Sequence, residues 1–187
     1  IYPFGGGDFI SFSEAIQRMS DYGVCGDVVI QAVDSTFQEH ISIGNIPGNS
    51  DSATITFTKL PGGGKPKIVY AASSSADNYV VHVENASYIT FDSLTMKSTG
   101  TGYCRVLTAG ANTSHITVNA CYLEAGSSSN TSTNKASVYL DDVTDASHWH
   151  ITNNVFYRGS YGIKYWGGSS TDQHEGTIIA NNRFTDQ

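Results

Sequence analysis

Charge is scarce in this chain: Asp, Glu, Lys and Arg together make up only 14% of its 187 residues. The little there is leans acidic, 17 carboxylates against 10 Lys and Arg, for a formal net charge of −7. Such a balance excludes nucleic acid as the main partner, because phosphates demand a basic footprint. Long apolar runs are missing too. No 18 consecutive residues are apolar, so no helix of this sequence spans a membrane. The three cysteines, Cys25, Cys104 and Cys121, are odd in number and lack C-x-x-C spacing. Neither a disulfide framework nor a zinc site is expected from them. They read as small buried residues, with a Cys104–Cys121 bridge as the alternative in an oxidising compartment. Gly5-Gly6-Gly7 and Gly62-Gly63-Gly64 lack the Lys-Ser/Thr of a phosphate loop, which removes nucleotide binding. No signal peptide is visible, and the chain opens on Ile1 rather than Met, so a processed or trimmed N-terminus is expected.

What is abundant is Gly, Ser, Thr and Asn, arranged in a repeat. Ile151, Asn154 and Phe156 form a pattern Φ-x-x-Asn-x-Φ that recurs at Ile179, Asn182 and Phe184. Val118, Cys121 and Leu123 fall into the same slots, as do Phe91, Leu94 and Met96. Self-similarity of this period with strand-like alternation is the mark of a solenoid. Two short strands per coil are expected, one around Val81, Val106, Val138 and Ile163, the other around Phe91, Val118, Ile151 and Ile179. Turns are expected at Ser73–Asp77, Gly126–Thr133 and Gly167–Thr171. Stacked short strands of this kind pair in parallel along the solenoid axis. Asn154 and Asn182 form a side-chain ladder at one corner, where each neighbour satisfies an amide that would be costly to bury alone.

Upstream of the repeat, Ser11-Phe12-Ser13-Glu14 reads as a capping box, with Ser11 accepting from a first-turn amide while Glu14 reaches back. Phe12, Ala15, Ile16 and Met19 then follow at helical spacing until Gly23 stops the run, predicting an amphipathic helix over 12–22. It would cover the apolar, edge-exposing end of the stack. Residues 27–33, 36–43, 53–58 and 67–70 read as strands, separated by the Pro47-Gly48-Asn49 turn and the loop Pro61–Pro66. One domain is expected: residues 1–26 as lead-in and cap, 27–187 as about six coils. No second cap follows Asn182, so the chain is expected to continue in the native protein or to have this end covered by another chain.

These features resemble the right-handed parallel β-helix family of the pectin-lyase-like type. The opening Gly7-Asp8-Phe9-Ile10-Ser11-Phe12-Ser13-Glu14-Ala15-Ile16 is similar to the G-D-F-x-x-x-x-E-A-I entry of pectin methylesterases and other β-helix proteins. Asn78-Tyr79-Val80-Val81, Ser87-Tyr88-Ile89-Thr90-Phe91 and Gly159-Ser160-Tyr161-Gly162-Ile163 more closely resemble repeat regions of large secreted bacterial surface proteins. The resemblance implies a right-handed solenoid and an extracellular location, and leaves activity open. The Q-D-T and G-x-V-D-F-I-F-G segments of pectin methylesterases are absent here, so that activity is not implied.

Alternation assigns one outward face. If Val81, Val106, Val138 and Ile163 point in, then His82, Leu107, Tyr139 and Lys164 point out, with Glu84, Arg105, Asp141 and Trp166 extending the patch. One chemistry for it is β-elimination on a uronate-containing glycan. Lys164 would be the base and Arg105 the carboxylate partner, with Glu84 and His82 as further candidates. Another is glycan contact through Tyr139, Tyr161 and Trp166, whose rings pair an apolar face with a polar edge; Tyr165 shares the inward parity of Ile163. No metal or cofactor is expected. His148 and His150 would share one face of a strand, with His174 and Glu175 further on, but Trp149 and Ile151 claim the inward slots. Asp141, Asp142 and Asp145 would gather at a turn as calcium-type oxygen ligands without an EF-hand or nonapeptide repeat to support them. Asn85, Asn112 and Asn130 head Asn-x-Ser sequons, which matter only in a eukaryotic source. The function expected is a structural or adhesive extracellular module touching glycans, neighbouring copies or the rest of a longer surface protein. Self-association through the uncapped C-terminal coil is one such contact, and a polysaccharide lyase is the alternative function.

Overall fold

The structure is a computed structural model that describes residues 1–3, 5–128, 131–143, 146–167 and 174–187, with the side chains of 141–143 outside the description. Asn130 and Asp145 also lie outside it, as do parts of the turns expected at Gly126–Thr133 and Gly167–Thr171. The first coil holds β1 (Val28–Ala32), β2 (Thr36–Gln38) and β3 (Ile41–Ile43), and the second β4 (Ile55–Lys59), β5 (Lys67–Tyr70) and β6 (Val81–Val83). The third holds β7 (Ser87–Asp92), β8 (Thr95–Ser98) and β9 (Leu107–Ala109), and the fourth β10 (Ser114–Asn119), β11 (Tyr122–Glu124) and β12 (Ala136–Val143). The fifth holds β13 (His150–Thr152), β14 (Val155–Tyr157) and β15 (Tyr161–Gly167). Two strands of the next, β16 (Ile178–Ala180) and β17 (Arg183–Thr185), follow. Every third strand pairs in parallel, giving sheet A (β1-β4-β7-β10-β13-β16), sheet B (β2-β5-β8-β11-β14-β17) and sheet C (β3-β6-β9-β12-β15). The chain is therefore an all-β parallel solenoid with three strands per coil rather than two, and five complete coils rather than six.

Inward ladders fill the interior. Ile30, Phe57, Phe91, Val118, Ile151 and Ile179 are register partners along sheet A. Phe37, Ile68, Met96, Leu123, Phe156 and Phe184 run along sheet B. Like rings stack coil on coil, Phe57 on Phe91 at 5.7 Å and Phe156 on Phe184 at 4.9 Å between centroids. Residues 36–43, expected as one strand, divide into β2 and β3 at a corner formed by Glu39 and His40.

At the N-terminal end α1 (Phe12–Tyr22) lies over the first coil, burying Phe12, Ala15, Ile16 and Met19. Phe12 meets Phe37 edge-on at 5.0 Å and Phe57 at 6.2 Å. Ser11 Oγ accepts from Glu14 N at 3.0 Å as a cap should, but the Glu14 carboxylate accepts from Ile10 N, one residue earlier than the capping box requires. Other first-turn N–H groups are taken up from the corner of the first coil: Glu39 accepts from Phe12 N, Ser13 N and Ser13 Oγ. A carboxylate at a helix N-terminus meets orphan N–H groups and the positive end of the dipole, so Glu39 pins the cap to the stack.

The sheet A to sheet B corner is the most regular. From the third coil onward it consists of two residues, the first at positive φ: Ser93, Ala120, Asn153 and Asn181, with φ between 51° and 59°. The second residue is Leu94, Cys121, Asn154 or Asn182. Asn154 donates to Val118 O at 2.9 Å and accepts from Cys121 N at 2.8 Å. Asn182 donates to Ile151 O at 2.7 Å and accepts from Asn154 N at 2.9 Å. Cys121 fills the same role with sulfur, its thiol donating to Phe91 O at 3.4 Å. Burial pushes that thiol up to about 12. All three cysteines are unbridged, Cys104 and Cys121 buried and Cys25 exposed. Among the described residues no helix is long and apolar enough to cross a membrane.

Candidate functional site

The outward face of sheet C carries most of the residues singled out above, but in a different arrangement. Its register runs Val81, Leu107, Val138 and Ile163 on the inside and His82, Thr108, Tyr139 and Lys164 on the outside. Leu107 is fully buried, and Thr108, not Leu107, is the outward residue of the third coil. Val106 and Leu107 are consecutive inward residues at a corner, which breaks simple alternation there.

Two groups of side chains result. In the first, Arg105 lies before β9 and its Nε donates to Thr133 O at 2.7 Å, fixing the guanidinium 3.6 Å from the ring centroid of Tyr139. Lys164 comes from the following coil and places Nζ 5.6 Å from the same centroid and 5.8 Å from that of Trp166. Both cations crowd the Tyr139 ring, so it is not an open platform. Trp166 is the open one, 63% exposed. Tyr161 opens β15 opposite Ala136 and shares the parity of Ile163 and Tyr165. It stands five residues from Trp166, about 16 Å along a strand, so the two do not form one surface. Tyr165 is turned inward: its hydroxyl donates to Ala146 O and meets Thr177 Oγ1 at 2.8 Å.

The second group is His82, Glu84 and Thr108. His82 Nδ1 bonds Thr108 Oγ1 at 2.8 Å while Nε2 lies 3.9 Å from Glu84. With rungs about 4.8 Å apart, His82 stands three rungs, about 14 Å, from Lys164. The four proposed catalytic residues are thus two separate pairs. Burial holds the His82 imidazole below its ordinary range, with Glu84 pulling the other way. The unfolded chain then takes up a proton near about pH 6.5 that the folded chain resists, so stability rises with pH there and falls as pH drops below it. We expect the thermal midpoint to fall from about pH 7.5 to about pH 5.5, and His82→Gln to flatten that slope. An unchanged slope in the variant would remove His82 from the account.

The sequence places His148 and His150 on one outer face of a strand, and the structure separates them. β13 starts at His150, and His148 sits before it at φ 57° with its ring stacked on His115. Asp141 and Asp142 lie within β12, not at a turn, where the register with β15 shifts between Leu140 and Val143. Among the described residues no group of three or more His, Cys, Asp or Glu is placed to hold a metal ion.

One feature escaped the sequence reading. Tyr88, His115 and His148 form a column of rings on the sheet C to sheet A corner, with centroids 4.5 Å apart at each step. Its spacing was legible: each ring stands three residues before Phe91, Val118 or Ile151, the inward ladder already recognised.

No family profile, curated protein or solved structure matches this chain.

Proposed function

We propose that the chain is an extracellular or cell-surface β-solenoid module, structural and adhesive in kind, that holds acidic glycans on the outer face of sheet C. The observation that carries this reading is the Arg105–Tyr139–Lys164–Trp166 group. It sets Lys164 beside an exposed indole, with Arg105 held against the neighbouring Tyr139 ring, in a chain of net charge −7. A uronate offers a carboxylate for the cations and an apolar ring face for Trp166, and local charge decides such contacts over the net balance. The sparse charge, the turn-rich composition and the likeness to secreted surface repeats support the location.

The test is titration of the chain with polygalacturonate. Lys164→Ala and Trp166→Ala are each expected to weaken binding about tenfold, and added salt to weaken the parent as screening requires. Binding indifferent to both substitutions would sink the reading.

A polysaccharide lyase is the second reading, favoured by the shared placement of Lys164 and Arg105 around one ring. For that chemistry Lys164 must act as the free amine and abstract the proton beside a carboxylate that Arg105 neutralises. Ultraviolet absorbance of an unsaturated uronate product, lost in Lys164→Ala, would establish the lyase.

A further inference from the structure

The ring column on the sheet C to sheet A corner is built at a conformational cost. Tyr88, His115 and His148 have φ of 55°, 55° and 57°, a left-handed backbone that is an outlier for a bulky residue such as Tyr and better tolerated by His. In the next coil the same position is Gly176, φ 66°, the residue such a backbone favours. Elsewhere the chain sets Asn at this geometry, as at Asn85, Asn112, Asn153 and Asn181, and also Ser93, Ala120, Arg158 and Asp186, so the left-handed corner recurs and what marks this column is that its residues carry rings. Strain of this kind clusters at functional sites, which makes the rings a reason to look for a ligand.

The column has one closed end and one open end. At the closed end a Cβ on Gly176 would come within 2.3 Å of the His148 ring, so the glycine backbone covers that face. At the other end, Thr54 precedes Ile55, the register partner of Ile89, and so occupies the slot facing Tyr88. Thr54 is turned away, its N and Oγ1 both donating to Asp27 of the first coil at 2.9 and 2.8 Å. The outer face of Tyr88 is left to a cleft of about 490 Å³ lined by Asn45, Asn49, Asp51, Asn85, Tyr88 and Asn112 among others. That volume lies within the range of small-molecule sites.

The lining is amide- and hydroxyl-rich, holds one carboxylate and contains no Lys, Arg or His. Asn112 Nδ2 donates to Asn85 Oδ1 at 2.8 Å, a bond that uses one donor of Asn112 and the oxygen of Asn85 and leaves each of these cleft-lining amides a further group, Asn85 Nδ2 as donor and Asn112 Oδ1 as acceptor. An aromatic face beside paired amide donors and acceptors fits the apolar face and hydroxyl edge of a pyranose. A cleft without cations does not fit an acidic sugar. We propose that this cleft is a second binding site, for neutral saccharides, with Tyr88 as its stacking platform. It stands independently of the sheet C face, whose cations it does not share.

The test is nuclear magnetic resonance titration of the full chain with neutral oligosaccharides, namely cello-, xylo-, manno- and galacto-oligomers and oligomers of N-acetylglucosamine. A binder is expected to shift the Tyr88 ring and the Asn85 and Asn112 side-chain amides. Tyr88→Asn, which keeps a residue suited to positive φ, should weaken it at least about tenfold, while Trp166→Ala should leave it unchanged. The amide spectrum of each variant reports whether the fold is intact. The proposal is overturned if no oligomer in the panel binds at millimolar concentration, if binding survives Tyr88→Asn, or if Trp166→Ala removes it equally. Failure of polygalacturonate binding bears on the sheet C face alone.

Discussion

Replacing Phe12 by Ala is expected to cost about 3–5 kcal/mol of folding stability, the range for a fully buried phenylalanine. Phe12 is the contact through which α1 grips the stack, meeting Phe37 and Phe57 at once. Loss of that size is a large part of the about 5–15 kcal/mol that holds an ordinary domain together. Its second effect follows from topology. The unpaired sides of β1, β2 and β3 lie at this end of the stack, and bared parallel edges recruit other chains. Chemical denaturation should show the lower midpoint, and light scattering should show association in native buffer. A variant that stays monomeric and loses less than about 1 kcal/mol would mean that α1 is not what closes the stack. Glu39→Gln, which weakens the anchor without emptying the core, should act in the same direction and more mildly.

The second large effect is expected at Asn154, 1% exposed in the corner between sheets A and B. Asn154→Ala removes the acceptor of Cys121 N and the donor to Val118 O and Asn182 Oδ1. An orphaned buried donor together with the space vacated should cost about 2–4 kcal/mol, a fall in thermal midpoint on the order of 10 °C for a chain of this length. The informative comparison is Cys121→Asn. Since the Cys121 thiol already donates to the Phe91 carbonyl as the Asn side chains do in later coils, this substitution should extend the ladder and leave the midpoint within a few degrees of the parent. Equal damage from the two substitutions would show that the corners are not equivalent.

The solenoid itself was legible because inward positions recur at coil spacing, and the cap because an apolar helical stripe follows a Ser that caps it. The third strand of each coil was not. Asn153 and Asn154 turn the chain in two residues without Gly or Pro; the repeat placed Asn154 at a corner but gave no separate strand to Val155–Tyr157, which is β14. At Glu39 and His40 the corner preserves parity, leaving Phe37, Ile41 and Ile43 all inward, and an alternating pattern carries no trace of the bend. Leu107 was misplaced for the opposite reason, since two buried residues in succession reverse the parity. On the sheet C face, residue types and approximate location were readable. That Arg105 and Lys164 both crowd Tyr139, that Trp166 is the open ring and that His82 and Glu84 stand apart from Lys164 depend on distances across coils, which no single strand encodes.

The three corners of the coil differ in how much length they accept. Between sheets A and B it holds at two residues from the third coil onward. Between sheets B and C the connection runs from two residues, Glu39 and His40, to eleven between β11 and β12. Lengthening a loop already open to water is cheap, about 0.6 kcal/mol for each doubling, whereas an extra residue between Ile151 and Phe156 would displace the Asn154 side chain from Val118 O and Cys121 N. The solenoid therefore has a spine of fixed pitch and two flanks that can take insertions independently, coil by coil. Descendants of such a chain can change what they present to the outside by editing loops, and peptides can be grafted there, without disturbing the stack that displays them.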